Sequence, residues 1–179
     1  MPGQDETLLR KVAQGDLMAF SLLVEKHKRR AYAIALGLVG TPDEAYDLSQ
    51  DAFMRVFRAA KKFDPARRFF PWFYTILVNL CRTHLKKRGR EVGLDSVAEP
   101  LDSAATPDDA YVASESRRRL WAAMNRLAFK DREIIMMAHF WDYTYKDMSA
   151  VLSVPVGTVM SRLYYARKKL KQELGNDFA

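Results

Sequence analysis

At 179 residues with 49% hydrophobic side chains, the chain has room for one ordinary domain or two small ones and enough apolar content to fold, which excludes disorder throughout. The longest apolar run, 31–40, is about half of what a bilayer span requires, and the start Met1-Pro-Gly-Gln-Asp-Glu lacks the basic-then-apolar pattern of a secretory signal, so a soluble, cytoplasmic protein without membrane insertion is expected. The net charge of +7 favours a polyanionic partner, nucleic acid before membrane. Its distribution sharpens the point: residues 1–90 carry a net +8, residues 91–113 a net −6 and residues 114–179 a net +5, the pattern of two polyanion-binding modules joined by an acidic strap.

Apolar residues recur at three- and four-residue spacing on both sides of that strap and nowhere keep a period of two, so the expected fold is all-α. A first helix is predicted from about Asp5 to Gln14, stopped near Gly15, and a second from about Asp16 to Val39 with a buried stripe of Leu17, Phe20, Leu23, Val24, His27, Ala31, Ile34, Ala35 and Leu38. Gly40-Thr41-Pro42 breaks it. Thr41 is placed to cap a third helix, running to about Lys62, whose first turn holds Asp43 and Glu44 as the helix dipole favours. A loop rich in Arg and Phe leads to Pro71, suited to a first helical position, and a fourth helix from Trp72 to about Lys87. The segment from Arg90 to Tyr111, with Gly93, Pro100 and Pro107 and no apolar periodicity, reads as a flexible acidic linker, giving domains at 1–90 and 113–179 around a linker at 91–112. Beyond it, helices are predicted at roughly Pro107 to Leu127, Asp131 to Trp141, Tyr145 to Leu152 and Val156 to about Leu174, with Ser153-Val154-Pro155 as the turn between the last two. Two short helices and a longer one ending in Arg167, Lys168, Lys169 and Lys171 have the layout of a helix-turn-helix.

A recognition helix must offer its first turns to base edges and its ends to phosphates. In the helix from Val156, Val156, Val159 and Leu163 share a face that can pack on the preceding helix, leaving Thr158, Met160, Ser161, Arg162, Tyr164, Tyr165 and Arg167 outward, with Lys168 beside them. The plain alternative is one more solvated helix of a bundle. The stretch from Trp141 to Leu170, containing Val156-Gly-Thr-Val-Met-Ser-Arg, resembles the carboxy-terminal promoter-binding domain of extracytoplasmic-function (ECF) bacterial sigma factors. That resemblance implies a sigma-4-type helix-turn-helix binding the upstream -35 promoter element, with Ser161, Tyr164, Tyr165 and Arg167 where the family touches DNA. Met160 stands where the family usually has Lys or Arg, and Ala138 where Arg is common, so two expected contacts are missing and base preference is left open.

Residues 7–90 resemble the amino-terminal domain of the same family, a sigma-2-type helical bundle. The match is dense at Asp43 to Phe57, similar to the family's polymerase-binding helix. On helical geometry Tyr46, Phe53 and Phe57 fall near one face while Asp47, Gln50, Asp51 and Arg55 spread over another. The resemblance implies that Asp47, Leu48, Gln50, Asp51, Phe53, Arg55 and Phe57 engage the β′ clamp of RNA polymerase core, with the β flap as a further contact of the protein. It is dense again at Lys61 to Arg88. Opening a duplex without ATP needs base stacking, capture of a flipped base and cationic hold on the backbone, and Phe63, Phe69, Phe70, Trp72 and Tyr74 interleaved with Lys61, Lys62, Arg67 and Arg68 suit that task. Trp72, Phe73, Ile76 and Leu80 are expected mainly to pack, with Phe69 or Phe70 as the exposed ring. The resemblance adds that the loop from Phe63 to Phe70 reads a flipped base of the -10 element, supported from the helix carrying Asn79. Arg82, Lys86, Lys87, Arg88 and Arg90 then form a stripe for duplex phosphates, although a basic helix end is also ordinary dipole compensation.

There is no Gly-rich phosphate loop, zinc-spaced Cys/His cluster or nucleophile elbow, so neither catalysis nor a cofactor or metal is expected. Cys81 and His84 lie three apart, but two ligands do not close a zinc site, and a buried thiol beside a surface histidine accounts for them; His27 and His139 read as packing or interface residues. The expected function is a sigma factor that brings core polymerase to promoters, recognising -35 and melting -10 elements in double- and single-stranded DNA, and the resemblance implies an anti-sigma factor as a further partner. The alternative is a helix-turn-helix regulator that binds operators independently of polymerase; a third reading is a protein-interaction bundle with idle DNA features.

Overall fold

The computed structural model describes residues 3–91, 109–140 and 143–175. Among them secondary structure is helical throughout: α1 (Gln4–Ala13), α2 (Leu17–Val39), α3 (Pro42–Ala59), a 3-10 turn (Ala60–Lys62), α4 (Phe69–Glu91), α5 (Asp109–Arg126), α6 (Phe129–Phe140), α7 (Tyr145–Leu152) and α8 (Val156–Leu174). No helix of the described residues is long and apolar enough to cross a membrane. The chain divides into two compact units, α1 to α4 apart from the Gly37–Pro42 junction, and α5 to α8. Helix α4 runs past its expected end near Lys87 to Glu91, and α5 begins at Asp109, close to the expected start at Pro107; the part of the expected linker between them lies outside the described residues.

In the first unit the core is built from Leu9 and Val12 of α1, Ala19, Leu23, Ala31, Ile34 and Ala35 of α2, Ala45, Leu48, Ala52, Phe53 and Val56 of α3, and Phe69, Phe73, Tyr74, Leu77, Val78, Leu80 and Cys81 of α4. Rings lock the helices together. Phe53 stacks on Phe73 with centroids 4.8 Å apart, tying α3 to α4, and Phe20 meets Phe57 at 5.0 Å, tying α2 to α3. Leu17, expected in the buried stripe of α2, is instead 65% exposed, and Ala19 is buried in its place. The helix begins at Leu17, and Asp16 caps it by accepting from the Ala19 N–H at 2.9 Å.

The start of α4 shows how the sequence solves a local problem at long range. Arg67 and Arg68 precede it and neither side chain can accept a hydrogen bond, so the free N–H groups of its first turn lack a local cap. The carboxylate of Glu6 supplies one from α1, accepting from the Phe69 N–H at 2.7 Å. Helix α4 therefore starts two residues before Pro71, which sits within the first turn, where its missing N–H removes no intrahelical bond. The neighbouring Asp5 accepts from Lys26 at 2.7 Å and lies 3.0 Å from His27 Nε2, so α1 is pinned to α2 and α4 at once. His27 is 6% exposed, packed beside Phe69 and Phe70 at 5.3 and 5.5 Å. Burial, opposed by Asp5, holds its pKa below the ordinary histidine range.

In the second unit α8 packs on α5, α6 and α7. Its buried face is Val159, Leu163 and Ala166; Ala123, Met124, Leu127, Ile134, Ile135, Met136, Met137 and Met148 are the other buried apolar residues from α5 to α7. Val156, expected on that face, is 39% exposed because it opens the helix, short of the packing. The α7–α8 corner is fixed at both ends. Thr144 and Asp147 form a reciprocal capping box at the start of α7, and Ser153, with φ 53°, adopts the left-handed conformation that closes it. Arg132 is buried, its guanidinium donating to the Asn125 and Leu127 carbonyls at 2.9 and 3.1 Å at the end of α5; burial alone lowers its pKa to about 10, which leaves it charged at neutral pH. Lys169 of α8 is ion-paired with Asp131 of α6.

Glu6→Ala is expected to destabilise the first unit by about 0.5–2 kcal/mol, as loss of a helix cap does, while Glu6→Gln, which keeps an acceptor, recovers most of it; urea unfolding of the three proteins measures the difference. Because His27 binds its proton more weakly folded than unfolded, the unfolded state gains protons as pH falls, so stability is lost on going from about pH 7.5 to about pH 5.5. His27→Gln should flatten part of that slope in thermal melts.

Candidate nucleic-acid interface

Helix α3 exposes one polar face. Asp47, Gln50, Asp51 and Arg55 are exposed, as expected, together with Tyr46 at 57% and Met54 at 44%. Leu48 and Phe53 correct the expectation: at 8% and 4% exposure, with Phe53 stacked on Phe73, they hold the helix to the bundle and are not available to a partner. Phe57 is half-buried against Phe20. Tyr46, expected near the face of the two phenylalanines, has its ring in solvent. Near the start of α3, Glu44 lies 3.1 Å from Arg88 and 3.1 Å from His84, linking this helix to the basic end of α4.

At the C-terminal end of α3 the chain enters a cationic bend. Lys61, Lys62, Arg67 and Arg68 are all exposed, and the bend is shaped by Asp64, which accepts from the Ala66 N–H at 2.9 Å and pairs loosely with Arg67 at 3.5 Å. The aromatic inventory differs from the expectation. Phe69 is 0% exposed and Tyr74 1%, so neither ring can stack on a base. Phe69 is consumed by contacts with His27, Trp72 and Phe73, because α4 begins at this residue and turns its first ring inward. Phe70 is half-buried and lies under the Arg30 guanidinium at 4.0 Å. Phe63 and Trp72 have the same intermediate exposure as Phe70 and are in contact at 4.9 Å. Trp72 was expected mainly to pack and does so only in part; Phe73 and Leu80 are buried as expected, and Ile76 partly.

Further along α4, Asn79 is exposed and accepts from Arg82 at 3.4 Å, and Lys86 and Lys87 face solvent. Cys81 is fully buried and its thiol is pushed up to about 12 by burial, so it stays protonated. His84 pairs with Glu44 rather than with the thiol. Among the described residues no three ligating side chains converge on a metal position. Glu6, Asp5 and Arg30, which hold the bend and its rings, were not singled out from the sequence; the signal for Glu6 was the lack of any capping residue at 67–68.

On α8, Met160, Ser161, Arg162, Tyr164, Tyr165, Arg167 and Lys168 are exposed, and Thr158 is half-exposed near the helix start. Tyr164 and Tyr165 contact edge to face at 5.4 Å. His139 near the end of α6 is exposed, and burial together with Arg167 lowers its pKa. The face opposite Val159, Leu163 and Ala166 is thus unobstructed within this unit and lined by hydrogen-bonding groups and cations, the requirements for entry into a major groove.

These two units match known families in register with that geometry. Residues 23–91 match Sigma-70 region 2 and residues 117–170 match Sigma-70, region 4. The RNA polymerase sigma-H factor of Pseudomonas aeruginosa is 30% identical over 181 residues, covering 96% of this chain and 94% of that protein. The ECF RNA polymerase sigma factor SigW of Bacillus subtilis is 27% identical, covering 93% and 94%. Among solved structures, the sigma factor RpoE of Bartonella quintana, in complex with the anti-sigma factor NepR, superposes with a TM-score of 0.69 at 30% identity, covering 88% of this chain and 98% of that one. A match to both units favours a polymerase-dependent initiation factor over a stand-alone helix-turn-helix regulator, and the chain belongs to the ECF family of RNA polymerase sigma factors.

Proposed function

We propose that residues 1–91 dock on the β′ clamp of core polymerase and open the -10 element, while residues 109–179 hold the -35 element, both working in the cytoplasm where polymerase and promoter meet. The observation that supports this reading is the pairing, within one bundle, of an exposed Asp47, Gln50, Asp51, Arg55 face with an adjoining bend of four exposed cations and partly exposed rings. The polar face of α3 binds the protein partner. Leu48, Phe53 and Phe57 act by holding α3 in place. Lys61, Lys62, Arg67 and Arg68 hold the displaced backbone, Phe63 and Trp72 offer stacking surface, and Arg82 and Lys86 meet duplex phosphates. Phe69, Phe70 and Tyr74 support the bend from within, and Asn79 borders it. On α8, Thr158, Ser161, Tyr164 and Tyr165 face bases, while Arg162, Arg167 and Lys168 face the backbone.

The chain itself supplies binding and positioning and carries out no bond-making step. An anti-sigma factor covering the α3 face would block assembly without touching the DNA-binding groups; the RpoE relative solved with NepR supports that partner class.

Purified chain with bacterial core enzyme should give promoter-specific run-off transcript, and the double variant Asp47→Lys/Asp51→Lys should weaken core binding by about tenfold or more without lowering the melting temperature, because like charges then face a basic clamp. Absence of transcript with several core enzymes, or unchanged core affinity of the double variant, would contradict the assignment.

A further inference from the structure

Helix α8 carries an apolar stripe that its packing does not explain. Val156, Met160 and Tyr164 recur every four residues and are 39%, 52% and 64% exposed, while the buried face is the separate row of Val159, Leu163 and Ala166. A line of exposed apolar side chains on one flank of a helix calls for a ligand. The opposite flank, Thr158, Arg162 and Tyr165, is polar. Between the two flanks lie Gly157 and Ser161, both exposed; a Cβ at Gly157 would meet nothing within 4 Å, so the backbone is open to close approach there. Arg162, Arg167, Lys168 and Lys171 flank the stripe with positive charge, which selects a polyanion over an apolar protein helix as its occupant.

In the major groove the apolar feature that a base edge presents is the C5-methyl group of thymine. We propose that Val156, Met160 and Tyr164 form a thymine-methyl reader, so that this chain selects its -35 element partly through apolar contact on one side of the recognition helix and through hydrogen bonds on the other. Met160 is the specificity-determining residue, since it sits at the centre of the stripe, in the second turn of the helix, and has no polar atom to satisfy. The inference rests on the assignment of α8 as the -35 reader.

The test uses holoenzyme assembled from the full chain and core polymerase. A -35 element is first selected from random duplexes, and each of its thymines is then replaced singly by deoxyuridine, which removes the methyl and leaves every hydrogen-bonding group. At one or more positions the replacement should weaken binding about fourfold, the fold-change of one buried methyl-sized group. Met160→Ala should bind the thymine and deoxyuridine duplexes alike at such a position, and Met160→Leu should retain the discrimination; both variants should melt with the parent, the side chain being half in solvent. If every deoxyuridine duplex binds as tightly as its thymine parent, or if Met160→Ala and Tyr164→Ala both keep the full discrimination, the proposal is wrong while the -35 assignment stands. If selection yields no preferred -35 sequence at all, both fail together.

Discussion

Separating base pairs costs stacking free energy of roughly 1–2 kcal/mol per step, and a protein that opens DNA without hydrolysing anything must return that sum through contacts made only to the opened strands. An aromatic ring can be spent once. A ring that closes the protein core, worth about 1.5–3 kcal/mol of burial, cannot also stack on an extruded base. In the bundle of α1 to α4, Phe53, Phe69, Phe73 and Tyr74 are committed inward, and Phe63, Phe70 and Trp72 stay partly exposed beside four exposed cations. On the proposed assignment, polymerase and DNA contacts draw on what the core leaves over.

The same constraint explains the elements that touch neither partner. Asp64 shapes the cationic bend locally, but no side chain at 67–68 can cap the helix that follows it. Helix α1 supplies the missing acceptor: Glu6 takes the first N–H of α4, and Asp5 engages Lys26 and His27, of which His27 packs against Phe69 and Phe70. Arg30 adds its cation to the face of Phe70. Glu6 and Asp5 of α1 thus fasten the start of α4, some sixty residues later, to α1 and α2.

Much of this was legible in the residues. Apolar spacing of three and four gave every helix, and the Ser153-Val154-Pro155 turn marked α7 and α8 to the residue, because capping and turn chemistry are local. The errors share one cause. Periodicity places Leu17 and Val156 on apolar stripes, yet each opens its helix where no neighbour covers it, and exposure depends on what lies opposite. The string Phe69-Phe70-Pro71-Trp72 reads as loop followed by helix. The helix begins three residues earlier, at Phe69, where a carboxylate from α1 takes the first N–H and Phe69 turns inward, and no local window contains that carboxylate. Likewise the charges of α3 are exposed as their spacing implies, while Leu48 and Phe53 are buried, since resemblance assigns a helix to a partner without saying which side chains fasten it to its own domain.

The central claim is that the Phe63–Trp72 surface, and not the buried Phe69, compensates for broken base pairs. Fluorescence of 2-aminopurine placed within the -10 element reports unstacking directly in a complex of holoenzyme and promoter. Phe63→Ala should reduce the open fraction by about tenfold, the equivalent of one lost stacked base, with duplex affinity through the -35 element unchanged. An unchanged fluorescence rise with Phe63→Ala and with Trp72→Ala, in proteins that melt like the parent, would contradict the account.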